Sequence, residues 1–379
     1  MKILTINAGS SSVRLEFFDI TDGVPRSLGR ATSAADDPSE LFATLAAQAG
    51  LGSEPPSAAA HRWVHGGRHV RAAALIDDQV AAALAEAAPL APLHAPANLS
   101  WLAHCRTIMG PDVRQIVVPD TAYFANLPDV AAHYALPREL SAQHHLRRYG
   151  FHGLAHQSMV EQWVARRGGD VGGAKVISLQ LGAGCSVTAS RGGAPIDSSM
   201  GFTPLEGLVM ATRAGDIDAG LLLYLQREAG LDAAQIETLL QKQSGLLGLS
   251  GISGDMRVLL ASDTPEAQNA IALYCYRAKK YIGAYLAALG GADAVLFGGG
   301  VGENSPEVRT RIIAGMQWCG LKLDTAANLS PQKQGGRISA AGSQIEIAVI
   351  RVDEAHIMAK AAADLLTQSN LHPTYKAGK

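Results

Sequence analysis

Two arginines in small-residue contexts are the side chains of this sequence that are best suited to anion chemistry. Arg62 lies in His-Arg-Trp-Val-His-Gly-Gly, and Arg213 lies in Met-Ala-Thr-Arg-Ala-Gly-Asp. A guanidinium group matches the paired oxygens of a carboxylate or a phosphate. Beside a transferring phosphoryl group, an arginine can raise the rate by about 10³-fold or more. Each arginine taken alone is equally compatible with a structural or surface role.

Four further polar residues have contexts that suit phosphoryl chemistry. Asp120 follows the apolar run Val-Val-Pro, where a catalytic acid or a simple turn cap would stand. His152 lies in the turn-rich segment Tyr-Gly-Phe-His-Gly, from which its imidazole can donate to phosphoryl oxygens or serve as an ordinary loop histidine. Asp353 and Glu354 follow a predicted strand, and a carboxylate there can bind Mg²⁺ or begin a helix.

Three small-residue turns follow predicted strands, at 7–12, 182–186 and 298–304. Glycine lets backbone N–H groups approach phosphate oxygens closely, and serine hydroxyls add donors. The run at 298–304 has neither the Rossmann nor the Walker spacing. The three turns therefore predict phosphate binding by a different nucleotide fold.

One strand-turn-strand pattern occurs twice in the sequence. Alternating apolar residues flank Ala-Gly-Ser-Ser in the first twenty residues, and a similar pattern flanks Ala-Gly-Cys-Ser at 183–186. A hairpin repeated at half-chain distance indicates two related domains with a cleft between them. We predict one domain at 1–148, completed by a C-terminal helix at 356–379, and a second at 149–355.

The remaining pattern is that of alternating helices and strands. Helical periodicity covers 78–88, 219–229, 233–241, 265–289 and 353–366, and apolar strands are predicted at 115–118, 294–297 and 347–352. Ser305 followed by Pro306 predicts a helix start. We expect the last helix to pack against the first domain.

Composition excludes several classes of protein. The chain has 379 residues with a formal charge of −2, which is too balanced for a nucleic-acid-binding surface. No stretch of membrane-spanning length or signal-peptide character occurs, so we expect no membrane partner and an intact start. The four cysteines have no zinc-ligand spacing, which favours a reduced, cytoplasmic environment.

Taken in order along the chain, these motifs resemble the acetate kinase family, which belongs to the acetate and sugar kinase/Hsp70/actin superfamily. The matching segments are INAGSSSVR, HRWVHGG, LAPLHAPAN, PDTAYF, RRYGFHGLAH, LGAGCS, DSSMGFTPLEGLVMATRAGDID, SGLLGLSGISGDMR, GGGVGENSPEVR and DEAHIMA. The segment from Asp197 to Asp218 is long enough to be specific by itself.

The resemblance implies an α/β fold with two duplicated ribonuclease-H-like, actin-like ATPase domains and an active-site cleft between them. It implies reversible Mg²⁺-dependent transfer of a phosphoryl group from ATP to acetate, giving acetyl phosphate and ADP. A homodimer is also implied. Two alternatives remain: a propionate or other short-chain carboxylate kinase, and a weakly active nucleotide-binding regulator.

The resemblance also implies roles for individual residues. Asn7 and Glu354 would serve a Mg²⁺ or Mn²⁺ site. Arg62 and Arg213 would hold the carboxylate and the phosphoryl group, with Asp120 orienting an arginine or acting as an acid or base, and His152 stabilising the phosphoryl oxygens. The apolar pocket for the acyl group would be formed by Val64, Leu93, Phe151 and Pro204. ATP would be bound by Arg14, Gln180, Leu181, Gly182, Ala183, Gly184, Asp255, Met256, Arg257, Gly300, Val301, Gly302, Glu303 and Asn304.

The sequence departs from the family pattern at three of these positions. Arg14 replaces a lysine, and Gln180 and Ala183 replace the histidine and asparagine of the family motif HLGNG. Both changes in that motif remove side-chain donors expected near the nucleotide phosphates. They predict a lower ATP affinity or a different phosphoryl donor. The size of Val64 predicts a preference for acetate, with propionate tolerated.

Overall fold

A computed structural model describes residues 1–8, 13–33, 40, 42–44, 47, 55–92, 95–169, 172–330 and 335–371. The chain divides into two compact units, Met1–Ala125 with Asp353–Lys379, and Asn126–Val352. The C-terminal segment therefore groups with the N-terminal unit. The sequence analysis placed the domain boundaries after residues 148 and 355, and these two boundaries remain predictions.

The strands of the described residues are β1 Lys2–Ala8, β2 Val13–Thr21, β3 Val24–Ser33, β4 Ala58–Trp63, β5 Ala74–Leu75, β6 Arg114–Pro119, β7 Lys175–Leu181, β8 Cys185–Arg191, β9 Ala194–Ser198, β10 Ala294–Gly298, β11 Gly335–Arg337 and β12 Glu346–Ile350. The helices are α1 Asp78–Ala87, α2 Ala95–Met109, α3 Asp129–Ala132, α4 Arg138–His144, α5 Gly153–Ala165, α6 Ala219–Arg227, α7 Ala233–Lys242, α8 Gly245–Ser250, α9 Met256–Leu260, α10 Pro265–Leu289, α11 Gly299–Asn304, α12 Pro306–Ile313, α13 Thr325–Leu329 and α14 Glu354–Leu371. Short 3₁₀ turns occupy Ala88–Leu90, Asp120–Phe124 and Gln317–Cys319.

Each unit contains one six-stranded mixed sheet, and the two sheets have the same topology. The strand orders are β3-β2-β1-β4-β6-β5 and β9-β8-β7-β10-β12-β11. In both sheets, three antiparallel strands form a meander. The next two strands in the sheet run parallel to the neighbouring meander strand, and a short antiparallel strand forms the edge. The hairpin repeat read from the sequence is thus β1-β2 in one sheet and β7-β8 in the other, which confirms the duplicated α/β fold.

The first sheet is buried by helices and by its own apolar alternation. Its core joins Leu4 and Ile6 of β1 with Leu15 of β2, against Trp101 and other residues of α2. Helices α2 and α14 both pack against β1 and β4.

Local sequence signals set the ends of several helices. The predicted helix at 265–289 is α10, where Thr264 accepts from the Ala267 N–H and Gly290 ends the helix at a positive φ. Ser305 caps α12 by accepting from the Val308 N–H, with Pro306 at the first position. None of the helices in the described ranges is both long enough and apolar enough to cross a bilayer.

The segment at 298–304 is not the simple turn that the sequence predicts. Residues Gly299–Asn304 form the short helix α11 directly after β10. Gly299 takes a φ of +78°, and a Cβ there would lie 2.6 Å from the Leu181 carbonyl oxygen. Glycine is required because the chain must bend tightly against the end of β7 before it can enter a helix.

Candidate active site

In the first unit, four polar side chains meet at the carboxyl ends of neighbouring parallel strands. Asn7 lies near the end of β1, Arg62 near the end of β4, and Asp120 directly after β6. Strands β1, β4 and β6 are adjacent and parallel, so their carboxyl ends share one edge of the sheet. Glu354, the first residue of α14, completes the group.

The guanidinium of Arg62 is the centre of this group. Its Nε and Nη2 donate to the two carboxylate oxygens of Asp120 at 3.2 and 2.7 Å. Its Nη1 donates to Asn7 Oδ1 at 3.2 Å and to Glu354 Oε2 at 3.1 Å. Asn7 Nδ2 also donates to Glu354 Oε2, at 2.6 Å. We define Asn7, Arg62, Asp120 and Glu354 as the Arg62 cluster.

Electrostatics holds the Arg62 cluster together although it is largely shielded from water. The Asp120 side chain is 1% exposed, and those of Arg62 and Glu354 are 18% and 13% exposed. Burial opposes the charge of Arg62, but Asp120 and then Glu354 outweigh it and hold the pKa of Arg62 above its ordinary value. Two carboxylates around one cation leave the cluster able to attract a further positive charge.

Three other predicted residues belong to the same unit. Val64 follows β4 and is buried. Arg14 lies on β2 opposite Asn7 and is exposed. Leu93 lies outside the described residues.

In the second unit, His152 and Arg213 converge on Gly184. A Cβ placed on Gly184 would lie 2.7 Å from Arg213 Nη2 and 3.2 Å from His152 Nε2. Two nitrogen donors therefore approach one point beside the turn at 182–184, and only glycine leaves that point open. We define Gly184, His152 and Arg213 as the Arg213 site.

Arg213 has no carboxylate within ion-pair distance among the described residues. Its Nη1 donates to the Pro204 carbonyl oxygen at 2.6 Å. Burial lowers the pKa of its guanidinium, and the nearby Cys185 only partly opposes this. A cation kept in a poorly solvated place without a counter-ion is suited to bind an anion.

Local structure fixes the direction of His152. The residue takes a left-handed φ of 57° and is the N-cap position of α5. Its Nδ1 lies 2.9 Å from Ser186 Oγ on β8, which leaves Nε2 directed to Gly184. Phe151, beside it, is buried, and Pro204 is tied to Arg213 through its carbonyl oxygen.

The segments predicted to bind nucleotide flank the ends of β7 and β10. These strands are adjacent and parallel, so the turn at 182–184 and helix α11 begin at the same edge. Gln180 Nε2 would lie 2.8 Å from a Cβ on Gly299, which places this amide against α11. Ala183 is exposed, and its carbonyl oxygen accepts from the Ala211 N–H.

Hydrogen bonds from polar side chains stabilise helix α11. Glu303, predicted to bind nucleotide, accepts from the backbone N–H groups of Gly299 at 3.1 Å and Val352 at 3.0 Å. The fully buried Arg309 donates to the carbonyl oxygens of Gly302 at 2.7 Å and Glu303 at 3.0 Å. Burial lowers the pKa of Arg309 to about 10. The Glu303 side chain therefore has a structural role in holding α11. The sequence analysis did not predict that Arg309 also stabilises this helix.

The remaining predicted nucleotide residues lie at the start of α9 and along α11. Asp255 caps α9 by accepting from the Arg257 N–H and also pairs with the Arg257 guanidinium at 2.6 Å. Met256 is buried beneath them. Gly300, Val301 and Asn304 belong to α11, where Asn304 Nδ2 donates to the Gly300 carbonyl oxygen. A Cβ on Gly300 would have no heavy atom within 4 Å, apart from its chain neighbours and the helix's own backbone.

The sequence profile of the Acetokinase family matches residues 40–360. This chain belongs to the acetokinase family. It is 44% identical to the acetate kinase of Chloroherpeton thalassium over 308 residues, which is 80% of this chain and 74% of the relative. The structure of the Porphyromonas gingivalis acetate kinase matches with a TM-score of 0.84 at 34% identity, over 97% of this chain and 99% of that one. A propionate kinase from Francisella tularensis also matches with a TM-score of 0.84, at 32% identity over 95% of this chain and 98% of that one.

For a member of the acetokinase family, the predicted residues fall into three groups in the structure. The Arg62 cluster is brought together in one unit, and the Arg213 site is brought together in the other. The family implies ATP as co-substrate, and of the predicted nucleotide segments the turn at 182–184 and helix α11 begin at one edge of the second sheet.

The contacts of Ser186, which lies in the predicted turn at 182–186, and of His156 with the Arg213 site were not predicted. Ser186 bonds to His152, and His156 bonds to Ser186. His156 lies in the family motif GFHGLAH and Ser186 lies in LGAGCS, but neither motif by itself predicts a contact between the two residues. The signal available in the sequence was the spacing of His152 and His156, which places both on one face when α5 begins at Gly153.

Proposed function

We propose that this member of the acetokinase family is an acetate kinase, which transfers the γ-phosphoryl group of ATP reversibly to acetate. The observation that carries the proposal is the Arg213 site, where a guanidinium without a carboxylate partner among the described residues and an imidazole nitrogen face one open point. Direct in-line transfer needs positioning and charge neutralisation rather than a covalent nucleophile. Such a pair of donors meets that need.

On the acceptor side, Arg62 binds the carboxylate of acetate. A guanidinium has five N–H groups, and four contacts to Asp120, Asn7 and Glu354 use four of them. The remaining N–H, on Nη2, has no acceptor among the described residues and is available to the substrate. Asp120 orients Arg62, since both of its oxygens accept from that guanidinium.

On the donor side, Arg213 and His152 bind the phosphoryl oxygens. The transition state spreads negative charge over the equatorial oxygens of the transferring group. Donors that are held in place before the reaction stabilise this charge without reorganisation. Hydrogen bonds to Pro204 and Ser186 hold the two donors in this way.

The Arg62 cluster also fits a divalent cation. Among the described residues, no group of three or more His, Cys, Asp or Glu side chains forms a complete metal cage. Mg²⁺ does not need one, because it is held by one or two protein oxygens with waters and substrate phosphates. The Asn7 amide oxygen and the Glu354 carboxylate are hard oxygen donors at one place, so they fit Mg²⁺ or Mn²⁺. When bound, the ion neutralises phosphate charge.

The first test measures acyl phosphate formation from MgATP, trapped as the hydroxamate, with acetate, propionate and butyrate in parallel. We expect the highest kcat/KM with acetate, because we propose that the buried side chain of Val64 limits the acyl pocket. No hydroxamate with any acid, in protein that binds ATP, would contradict the proposal and favour a nucleotide-binding regulator.

Propionate is the second candidate substrate. It is favoured by the similarity to the Francisella tularensis propionate kinase. A kcat/KM for propionate above that for acetate in the same assay would assign the enzyme to that substrate instead.

The metal site gives a separate prediction. Replacing Glu354 with glutamine should raise the Mg²⁺ concentration for half-maximal turnover about tenfold or more, because a charged oxygen donor is lost. Asp353→Asn is the matched control, since Asp353 is exposed and its carboxylate accepts from the His356 N–H. An equal change in both variants, measured by Mg²⁺ titration at saturating ATP, would contradict the assignment.

Homodimer formation and a cytoplasmic location complete the proposal. Helix α6 has no buried residue, and its Leu221, Leu223 and Tyr224 are 46%, 55% and 56% exposed, which supports a covered surface in a dimer. All four cysteines are free thiols, which supports a reducing compartment.

We expect Leu223→Glu to convert the dimer to a monomer in size-exclusion chromatography with light scattering. Leu329→Glu, at a leucine that is 65% exposed on α13, is the control. A monomeric wild type would contradict the dimer.

A further inference from the structure

Three buried side chains and the half-buried His152 form a continuous hydrogen-bond chain that ends at the Arg213 site. We propose that Ser186 and His156 are positioning residues that hold His152 in the tautomer with its proton on Nε2. The inference rests on the proposed function, because it concerns the nitrogen that faces the phosphoryl group. We define Ser178, His156, Ser186 and His152 as the Ser178 chain.

The distances of the Ser178 chain are those of good hydrogen bonds. Ser178 Oγ lies 2.8 Å from His156 Nδ1, and His156 Nε2 lies 2.7 Å from Ser186 Oγ. Ser186 Oγ in turn lies 2.9 Å from His152 Nδ1. Ser178, Ser186 and His156 are each 0% exposed, so water does not compete for these bonds.

The fold places these residues together through simple periodicity. Ser186 pairs with Gln180 across β7 and β8, so it lies on the same face as Ser178, two residues before Gln180. Helix α5 packs against β7, and the His156 N–H donates to the His152 carbonyl oxygen at 3.0 Å within its first turn. Both imidazoles therefore face the two serines.

Counting protons along the chain gives one arrangement that leaves Nε2 of His152 as a donor in a neutral ring. Nδ1 must then accept, so the Ser186 hydroxyl donates to it. Because that hydroxyl has only one proton, its oxygen must accept from His156 Nε2–H. His156 Nδ1 then accepts from the Ser178 hydroxyl.

The charges around the chain support neutral imidazoles. Burial lowers the pKa of His156 to about 3, so His156 is neutral at physiological pH. The Arg213 guanidinium approaches the same point beside Gly184 as His152 Nε2, which disfavours a second positive charge there. A neutral ring can donate from Nε2 only if Nδ1 has no proton, and the Ser186 hydroxyl gives this tautomer when it donates to Nδ1.

Removal of the Ser186 hydroxyl should therefore reduce catalysis more than binding. We expect Ser186→Ala to lower kcat about 10- to 100-fold with little change in the KM for ATP or acetate, because a misplaced donor costs about that much. Thr188→Val is the matched control. Thr188 lies on the same strand and face, is 0% exposed, and its hydroxyl has no hydrogen-bond partner among the described residues.

The tautomers themselves can be observed by long-range ¹H–¹⁵N NMR of histidine-labelled protein, with His152 assigned by its absence in His152→Gln. We expect Nε2–H for both His152 and His156 in the wild type, a mixture at His152 in Ser186→Ala, and wild-type spectra in Thr188→Val. A proton on Nδ1 of His152 in the wild type would overturn the inference. So would equal kcat values in Ser186→Ala and Thr188→Val.

The NMR readout does not depend on turnover. If the wild type forms no acyl phosphate, the proposed function fails while the tautomer of His152 is still measured. If the wild type is active and His152 carries its proton on Nδ1, the inference about the tautomer is wrong while the proposed function stands.

Discussion

Replacement of Arg213 with alanine should lower kcat by about 10³-fold or more, which is the effect expected for an arginine beside a transferring phosphoryl group. The structure gives the reason, since Arg213 has no carboxylate to neutralise among the described residues and is directed to the open point at Gly184. Steady-state rates of hydroxamate formation, measured with saturating acetate and MgATP, test this result.

The fold of the Arg213→Ala variant should be intact. Losing the bond to the Pro204 carbonyl oxygen destabilises the protein, whereas removing a cation whose pKa is lowered by burial stabilises it. These effects oppose each other, so we expect a small change in Tm. The matched control is Arg167→Ala, at an arginine that is 53% exposed and pairs with Glu346, and its kcat should equal that of the wild type.

Added guanidinium ion provides a second readout of the same variant. If Arg213 acts through its guanidinium, free guanidinium should restore part of the activity of Arg213→Ala. It should not increase the activity of Ser186→Ala. Turnover near the wild-type level in Arg213→Ala would remove Arg213 from the mechanism.

Replacement of Gly184 with alanine should lower kcat/KM about 100-fold, because a methyl group would stand where we propose that the phosphoryl oxygens bind. The added Cβ would lie 2.7 Å from Arg213 Nη2 and 3.2 Å from His152 Nε2, so both donors must move. The nearest atoms are side-chain ends rather than backbone, so the sheet can accommodate the change. Activity and circular dichroism together separate a filled site from an unfolded protein.

A glycine in a roomy position controls for the substitution itself. Gly283 lies in α10, and a Cβ there would have no heavy atom within 4 Å, apart from its chain neighbours and the helix's own backbone. Gly283→Ala should keep full activity and slightly raise Tm, since alanine favours the helix by about 1 kcal/mol. Equal activities of Gly184→Ala and Gly283→Ala would show that the point between Arg213 and His152 is not used.

Much of the fold could be predicted because its signals are local. The capping Thr264, Pro265 and Gly290 define the ends of α10 within a few residues of each end. Repetition of one hairpin indicated two related sheets, and both sheets have the same strand order. Motifs also named Asn7, Arg62, Asp120 and Glu354 before any distance was known.

Tertiary structure alone decided which of these residues touch and how. Asn7 and Glu354 are bonded although 347 positions separate them, because the order of the strands brings the end of β1 to the start of α14. The role of Gly184 depends on two side chains, one from the N-cap of α5 and one from the segment before α6. Capping and alternation act over a few residues, whereas distances between remote side chains depend on the packing of the whole unit, and no local pattern contains them.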